Sequence, residues 1–184
     1  MINEQLDISA NRSQKNWTRI ELLKRIFWKI LSPLFRYSPR LAWGWRNSLL
    51  RLFGAKIGKN VRIYPNVKVT IPWNISIDDY TAIGNGAILY ALGPISIGKN
   101  TTISQYAHIC AGSHAFNKPT MDLLKPPITI GDNVWICADA FIGPNVKIDG
   151  LTIIGARAVV TKDISDSQIV AGNPAIIIGQ RKLP

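Results

Sequence analysis

The sequence holds only two histidines and two cysteines in 184 residues, and nothing in it has the spacing of a metal site. A zinc centre built on three histidines is therefore excluded. The two cysteines, Cys110 and Cys137, read as small packing residues of a reducing compartment rather than as a disulfide. No run of 18 or more apolar residues occurs, so a membrane-spanning helix is not expected. The opening Met1-Ile2-Asn3-Glu4-Gln5-Leu6-Asp7 is polar and acidic, unlike a secretory signal. A phosphate-cradling glycine loop and a dinucleotide fingerprint are both missing. Charged residues are scarce at 18% of the chain, and acidic ones scarcest: eleven Asp and Glu stand against 22 Lys and Arg, for a net charge of +11.

That excess is concentrated at one end. Residues 1–56 carry eleven Lys and Arg against Glu4, Asp7 and Glu21, together with four of the six tryptophans. Such a head suits nucleic acid or an anionic membrane surface; no recognised nucleic-acid-binding motif accompanies it, so a nucleic-acid partner is not expected. Residues 1–16 read as a polar, poorly ordered arm. Residues 17–31 read as an amphipathic helix with Ile20, Leu23, Phe27, Ile30 and Leu31 at helical spacing, broken by Ser32-Pro33. A second helix over about residues 39–53 places Trp43, Arg46, Leu49, Leu50 and Phe53 on one face, with Gly54 as its stop. The head can be a cap over the open end of a repeat domain beginning at Ile57, or a membrane-surface element through residues 17–53, and the two are compatible.

From Ile57 the pattern changes to an aliphatic residue about every six positions. The runs are Ile57, Ile63, Val69, Ile75; Ile77, Ile83, Leu89, Ile95; Ile97, Ile103, Ile109; and Ile130, Ile136, Ile142, Ile148, Ile154, Val160. A period of six predicts a parallel β-helix with three sides per coil, its aliphatic residues pointing inward and Gly or Asn at the corners. The steps Ile75-Ser76-Ile77, Ile95-Ser96-Ile97 and Ile128-Thr129-Ile130 each add two residues, which preserves the inward and outward alternation of a strand. The domain so defined spans residues 57–175, with residues 176–184 as a tail. Residues 115–127 hold Pro119, Pro126 and Pro127 and no hexad, so they predict an extruded loop of functional or interfacial kind, starting directly after His114.

Three motifs in the C-terminal half carry a resemblance: Ile130-Gly131-Asp132-Asn133-Val134-Trp135-Ile136, Ile154-Gly155-Ala156-Arg157-Ala158-Val159-Val160-Thr161-Lys162-Asp163, and Val170-Ala171-Gly172-Asn173-Pro174-Ala175. They resemble the galactoside, maltose and nodulation O-acetyltransferase branch of the hexapeptide-repeat acyltransferases. A wider set is similar to the colanic acid biosynthesis acetyltransferases, which acetylate bacterial exopolysaccharide. It comprises Trp45-Arg46, residues 49–60, Tyr64-Pro65, Ile71-Pro72-Trp73, Ile103-Ser104-Gln105 and Gly112-Ser113-His114. The resemblance implies an all-β, left-handed parallel β-helix behind the helical head, a handedness the usual crossover rule would not give. It also implies acetyl-CoA as acyl donor, a saccharide or lipid-linked saccharide as acceptor, a homotrimer with interfacial sites, and a cytoplasmic setting at the inner face of the cell membrane.

Transfer of an acetyl group from a thioester to a hydroxyl needs a base, donors for the oxyanion and a slot for the coenzyme A arm. A lone histidine is ordinarily a surface residue, but Gly112-Ser113-His114 matches the family's catalytic position, which makes His114 the expected base; an imidazole titrates near ~6.5, suited to neutral pH. His108, at an outward repeat position, reads as structural or as facing the acceptor. Asn85 is the candidate oxyanion donor, with Ser113, Gln105 or a backbone N–H as alternatives and a plain corner role in Gly84-Asn85-Gly86 as the bland one. The positions matching the coenzyme A wall are Trp135, Ala138, Ala156, Thr161 and Lys162, the last within reach of phosphates. The family's arginines shortly after Asn-Pro are replaced by Ile176-Ile177-Ile178-Gly179, with Arg181 and Lys182 beyond. With no Cys/His pairing, direct transfer without an acyl-enzyme is expected. N-acylation of an amino sugar or nucleotide sugar, and a non-catalytic membrane-associated scaffold, are the competing readings; coenzyme A binding separates the scaffold from the enzymes.

Overall fold

The computed structural model describes residues 5–184, so the first four residues of the polar opening lie outside the described part. Helices α1 (Ile8–Ser13), α2 (Arg19–Arg36) and α3 (Trp43–Leu52) precede the solenoid. Short strands then stack into three sheets, one per side of the coil: sheet A runs from Lys56–Ile57 to Lys147–Ile148 in five strands, sheet B from Arg62–Ile63 to Ile176–Gln180 in seven, and sheet C from Lys68–Val69 to Val159–Val160 in five, all parallel except the last strand of sheet B. This is the parallel β-helix that the six-residue period predicts, and it is left-handed. Nearly every aliphatic residue of the four runs is buried, Ile63, Ile83, Ile103, Ile136 and Ile154 completely, and these five stack in one column behind sheet B.

The two-residue insertions share one side of the coil. Ile75–Ile77, Ile95–Ile97 and Ile128–Ile130 are the longer strands of sheet A and pair in register, Ile75 with Ile95 and Ile95 with Ile128. The interior also holds Thr81, Thr101 and Thr152, all fully buried. Their hydroxyls bond the backbone of neighbouring coils: Thr81 Oγ1 donates to the Gly98 carbonyl at 2.6 Å and accepts from Thr101 N at 3.1 Å. Buried hydroxyls with partners of this kind carry no desolvation penalty. Asn60, Asn100 and Asn133 take positive φ at the corner between sheets A and B, as asparagine tolerates.

The head departs from expectation in three ways. Residues 5–16 are a docked element rather than a loose arm: Asp7 N donates to Pro119 O at 2.8 Å, and Gln14 Nε2 to Asp122 Oδ1 at 2.6 Å. Helix α2 runs through Pro33 to Arg36. Proline cannot donate to the Lys29 carbonyl one turn back, but Ser32 Oγ donates to that carbonyl at 3.1 Å in its place. The inward residues of α2 are Trp28 and Phe35, whereas Ile20, Leu23, Phe27 and Ile30 face outward and Leu31 is half-buried. Finally, helix α3 starts later than expected, at Trp43; the turn before it is held by Ala42 N and Arg46 on the Pro39 carbonyl and by Arg46 on that of Arg40.

Arg46 fastens the head to the first coil. Its guanidinium is fully buried, stacks on Trp43, and donates to the carbonyls of Ile63, Pro39 and Arg40 and to Ser38 Oγ at 2.6–2.8 Å. Burial pulls its pKa down from the usual arginine value. Arg46→Ala leaves the buried Ile63 carbonyl without its donor and empties the space the guanidinium fills, so the loss should reach roughly 2 kcal/mol, read as a lower urea midpoint; an unchanged midpoint would mean that the cap contributes nothing to stability. The C-terminal residues expected as a tail form a strand, Ile176–Gln180, antiparallel to Gln168–Ala171, which closes sheet B.

Candidate active site

His114 stands where the repeating coil stops. The strand His108–Cys110 lies in sheet C, the chain turns at Gly112, and Ser113–His114 then pairs antiparallel with Leu123–Leu124. A Cβ on Gly112 would come within 2.9 Å of Leu92 Cδ1, so a larger residue there would push the Leu92 side chain aside. The extruded segment is thus a hairpin rather than a featureless loop. Its tip is closed by Ala115 N to Asp122 O at 2.9 Å, and Met121 is held at φ 42°, a left-handed value that a non-glycine residue rarely adopts.

The strained Met121 has a visible consequence. His114 Nδ1 lies 2.7 Å from the Met121 carbonyl. A carbonyl only accepts, so the neutral imidazole carries its hydrogen on Nδ1 and leaves the Nε2 lone pair free to take a proton. The ring is exposed. The same carbonyl also accepts from Asn11 Nδ2 at 2.9 Å, which ties α1 to the imidazole's partner. Asp122 is held down to about 2 by the Thr120 hydroxyl first, then Gln14 and Lys118, so the hairpin keeps a fixed carboxylate at its tip. Sequence reasoning passed over Asn11, Met121 and Asp122, because these contacts join segments about 110 residues apart.

His108 is different in kind. It faces outward from sheet C between Tyr90 and Phe141, both edge-on, at 6.3 and 5.4 Å. Burial first, and Lys68 second, lower its pKa, and its buried Nε2 has no hydrogen-bond partner. Burial pushes the thiols of Cys110 and Cys137 up, away from the thiolate a nucleophile would need. Among the described residues, no group of three or more His, Cys, Asp or Glu is placed to hold a metal ion.

The remaining candidates fall into two groups. Asn85, Gln105, Ala138 and Ala156 occupy the same corner, between sheets B and C, in four successive coils; Asn85 O accepts from Tyr106 N, Gln105 O from Asp139 N and Ala138 O from Arg157 N. Trp135 stands beside them on the outer face of sheet B, its Nε1 donating to Ser104 Oγ at 3.0 Å. Asn85 lines a depression of about 480 Å³ with Tyr64, Ser104, Gln105 and Tyr106. That depression meets, at Ala82, a larger one of about 780 Å³ under α3, lined by Trp43, Asn47, Arg62 and Tyr80. Asn47 Oδ1 is buried there without a partner. Thr161 and Lys162, by contrast, follow strand Val159–Val160 of sheet C and are exposed on the side of the coil that bears His114. Within one chain the base therefore lies beyond sheet C, and the Trp135–Ala138–Ala156 wall lies on sheet B and its corner. Arg181 is committed elsewhere: its Nη1 donates to Asn133 O at 2.7 Å.

The outer faces of the sheets also differ. Sheet A presents Lys56, Ser76, Ser96, Thr129 and Lys147, whereas sheet C presents Lys68, exposed, and then Ile88, His108, Phe141 and Val159 in one column, each half-buried.

Residues 127–162 match the family described as bacterial transferase hexapeptide (six repeats). The chain is 41% identical over 157 residues to WcaF of Escherichia coli (strain K12), provisionally named a colanic acid biosynthesis acetyltransferase, covering 85% of this chain and 86% of the relative. A maltose O-acetyltransferase from Clostridium difficile 630 shares the fold with a TM-score of 0.83 and 26% identity, over 90% of each chain. A galactoside acetyltransferase solved in complex with coenzyme A superposes with a TM-score of 0.83 and 28% identity, over 94% of this chain and 88% of that one.

Proposed function

The chain belongs to the hexapeptide-repeat acetyltransferase family, and from that premise we propose that it transfers the acetyl group of acetyl-CoA to a hydroxyl of a saccharide, free or lipid-linked, in exopolysaccharide biosynthesis in the cytoplasm. The observation that carries this reading is the His114 imidazole, fixed through Nδ1 to the Met121 carbonyl with Nε2 free, at the break in the coil. His114 Nε2 takes the proton of the sugar hydroxyl as that oxygen attacks the thioester carbon. Backbone N–H groups or the Asn85 amide steady the tetrahedral oxyanion. Collapse expels the coenzyme A thiolate, which recovers the proton from the imidazolium. The raised thiols of Cys110 and Cys137 favour this direct transfer over an acyl-enzyme.

The donor lies along Trp135, Ala138 and Ala156, where small side chains let a pantetheine arm approach the backbone, with Thr161 and Lys162 toward its phosphates. These groups lie on two sides of one coil, so the working unit is a homotrimer in which the sheet B side of one chain faces the sheet C side of its neighbour. The apolar column on sheet C supports that packing, since an outer face left in water would match the Lys, Ser and Thr of sheet A. The trough around Asn85, Ser104 and Tyr106 then holds the acceptor sugar.

Incubating the protein with acetyl-CoA and candidate saccharides, followed by mass spectrometry, should yield a product one acetyl group heavier. Mild alkali should remove that group, as an ester requires. An alkali-stable product from an amino sugar would move the reading to N-acylation. Failure of the folded protein to bind coenzyme A in titration calorimetry would instead favour the scaffold.

A further inference from the structure

Helix α2 wears its apolar stripe on the outside. Ile20, Leu23, Phe27, Ile30 and Leu34 succeed one another at alternating steps of three and four residues, which is one line along a helix. They are 67, 56, 59, 63 and 52% exposed, and Ile26 beside them is 55% exposed. The residues that pack on the first coil, Trp28 and Phe35, lie roughly 110° round the helix. Trp28 is locked there, its Nε1 donating to the Val69 carbonyl at 2.8 Å, so the helix has no freedom to turn its stripe inward. The apolar surface continues past the helix through Tyr37, Leu41 and Trp45, which are 88, 81 and 50% exposed.

The charge around the stripe is of one sign. Arg19 and Lys24 flank the stripe and Arg25, Lys29 and Arg36 lie on the far side of α2, and none of these cations is in a salt bridge among the described residues. The helix has one acid, Glu21, and its carboxylate is occupied in the capping box, accepting from Thr18 N and Thr18 Oγ1. A second copy laid on this face across a two-fold axis would bring the same cations against themselves. An anionic bilayer complements both features: acyl chains take the stripe, lipid phosphates take Arg19 and Lys24 at its borders, the remaining cations add to the attraction of the anionic surface, and Tyr37 and Trp45 have the amphipathic rings that favour the headgroup level.

We propose that α2 lies in the plane of an anionic membrane, with Ile20, Leu23, Phe27, Ile30 and Leu34 sunk into the lipid and the flanking Arg19 and Lys24 at the headgroup phosphates. No helix among the described residues is long and apolar enough to cross a membrane, so the attachment is peripheral. The segment just before α2 is fastened to the His114 hairpin by Asn11, by Gln14 and by Lys125 over the Trp17 ring at 3.4 Å. Docking of α2 therefore sets the reaction hairpin close to the lipid surface, where a lipid-linked sugar is presented; that step alone rests on the proposed reaction.

The test is co-sedimentation of the full chain with vesicles of phosphatidylcholine alone and of phosphatidylcholine with phosphatidylglycerol. Binding is expected to the second and to fall with added salt. The double variant Leu23→Glu, Phe27→Glu should partition about tenfold or more weakly, with unchanged circular dichroism, unchanged assembly size and unchanged acetylation of a soluble saccharide. Failure of the wild type to sediment with anionic vesicles, or undiminished binding by the double variant, overturns the proposal. So does a smaller assembly size for the double variant, which would assign the stripe to a second copy. Loss of vesicle binding with acetylation of a soluble saccharide intact keeps the two readings separate.

Discussion

Replacing His114 by alanine should lower kcat by about 10²–10⁴-fold, the range a positioned general base supplies, and leave coenzyme A binding and the fold as they are. The side chain is exposed, so its removal opens no cavity in the solenoid core. The one contact at stake is the bond from Nδ1 to the Met121 carbonyl. His114→Asn isolates that contact: an asparagine amide can donate to the same carbonyl but has nothing to take a proton. Both variants should therefore be equally inactive. If the asparagine variant keeps activity that the alanine variant loses, the imidazole acts by holding the hairpin. If both keep near-wild-type turnover, His114 has no part in the reaction. Mass spectrometric product rates and a calorimetric titration with coenzyme A, run on the same preparations, separate these outcomes.

What the sequence makes legible depends on how local the cause is. The inward column of Ile63, Ile83, Ile103, Ile136 and Ile154 is readable because each coil repeats the same short-range pattern and each buried residue stacks on its own equivalent. The insertions at Ile75–Ile77 and Ile95–Ile97 are readable for the same reason, since two residues leave a strand's faces unchanged. The apolar stripe of α2 is equally plain in the sequence, but a stripe states only that something covers it. That Trp28 and Phe35 pack inward while Ile20 and Phe27 face out depends on Trp28 meeting the Val69 carbonyl, 41 residues away. Where the helix continues through Pro33, the Lys29 carbonyl is taken by the Ser32 hydroxyl, a contact no propensity scale weighs. At the site, the break after His114 is written in the repeat. The carbonyl that fixes its tautomer belongs to a residue seven positions on, and depends on a hairpin that only the closed loop forms.

Two inactive variants mixed in one assembly should recover activity, and this is the sharpest consequence of a site divided between chains. Ala156→Trp fills the corner where the acyl donor is placed; the position is exposed, so the larger side chain disturbs no core. That variant keeps His114 and should bind no coenzyme A. His114→Ala keeps the Trp135–Ala138–Ala156 wall and lacks the base. In a closed ring with a repeated head-to-tail interface, each site takes its base from one chain and its wall from the next. A trimer that holds both kinds of chain then has about one third of its sites with both parts intact, hence about a third of wild-type turnover from chains that are separately inert. A site contained within one chain recovers nothing, because every chain carries one lesion. The measurement is acetyl transfer by co-expressed, differently tagged chains, purified through both tags so that only mixed assemblies are assayed. The geometry favours recovery. His114 lies beyond sheet C while Trp135 and Ala156 lie on sheet B and its corner, and the column of Ile88, His108, Phe141 and Val159 makes the outer face of sheet C more apolar than that of sheet A.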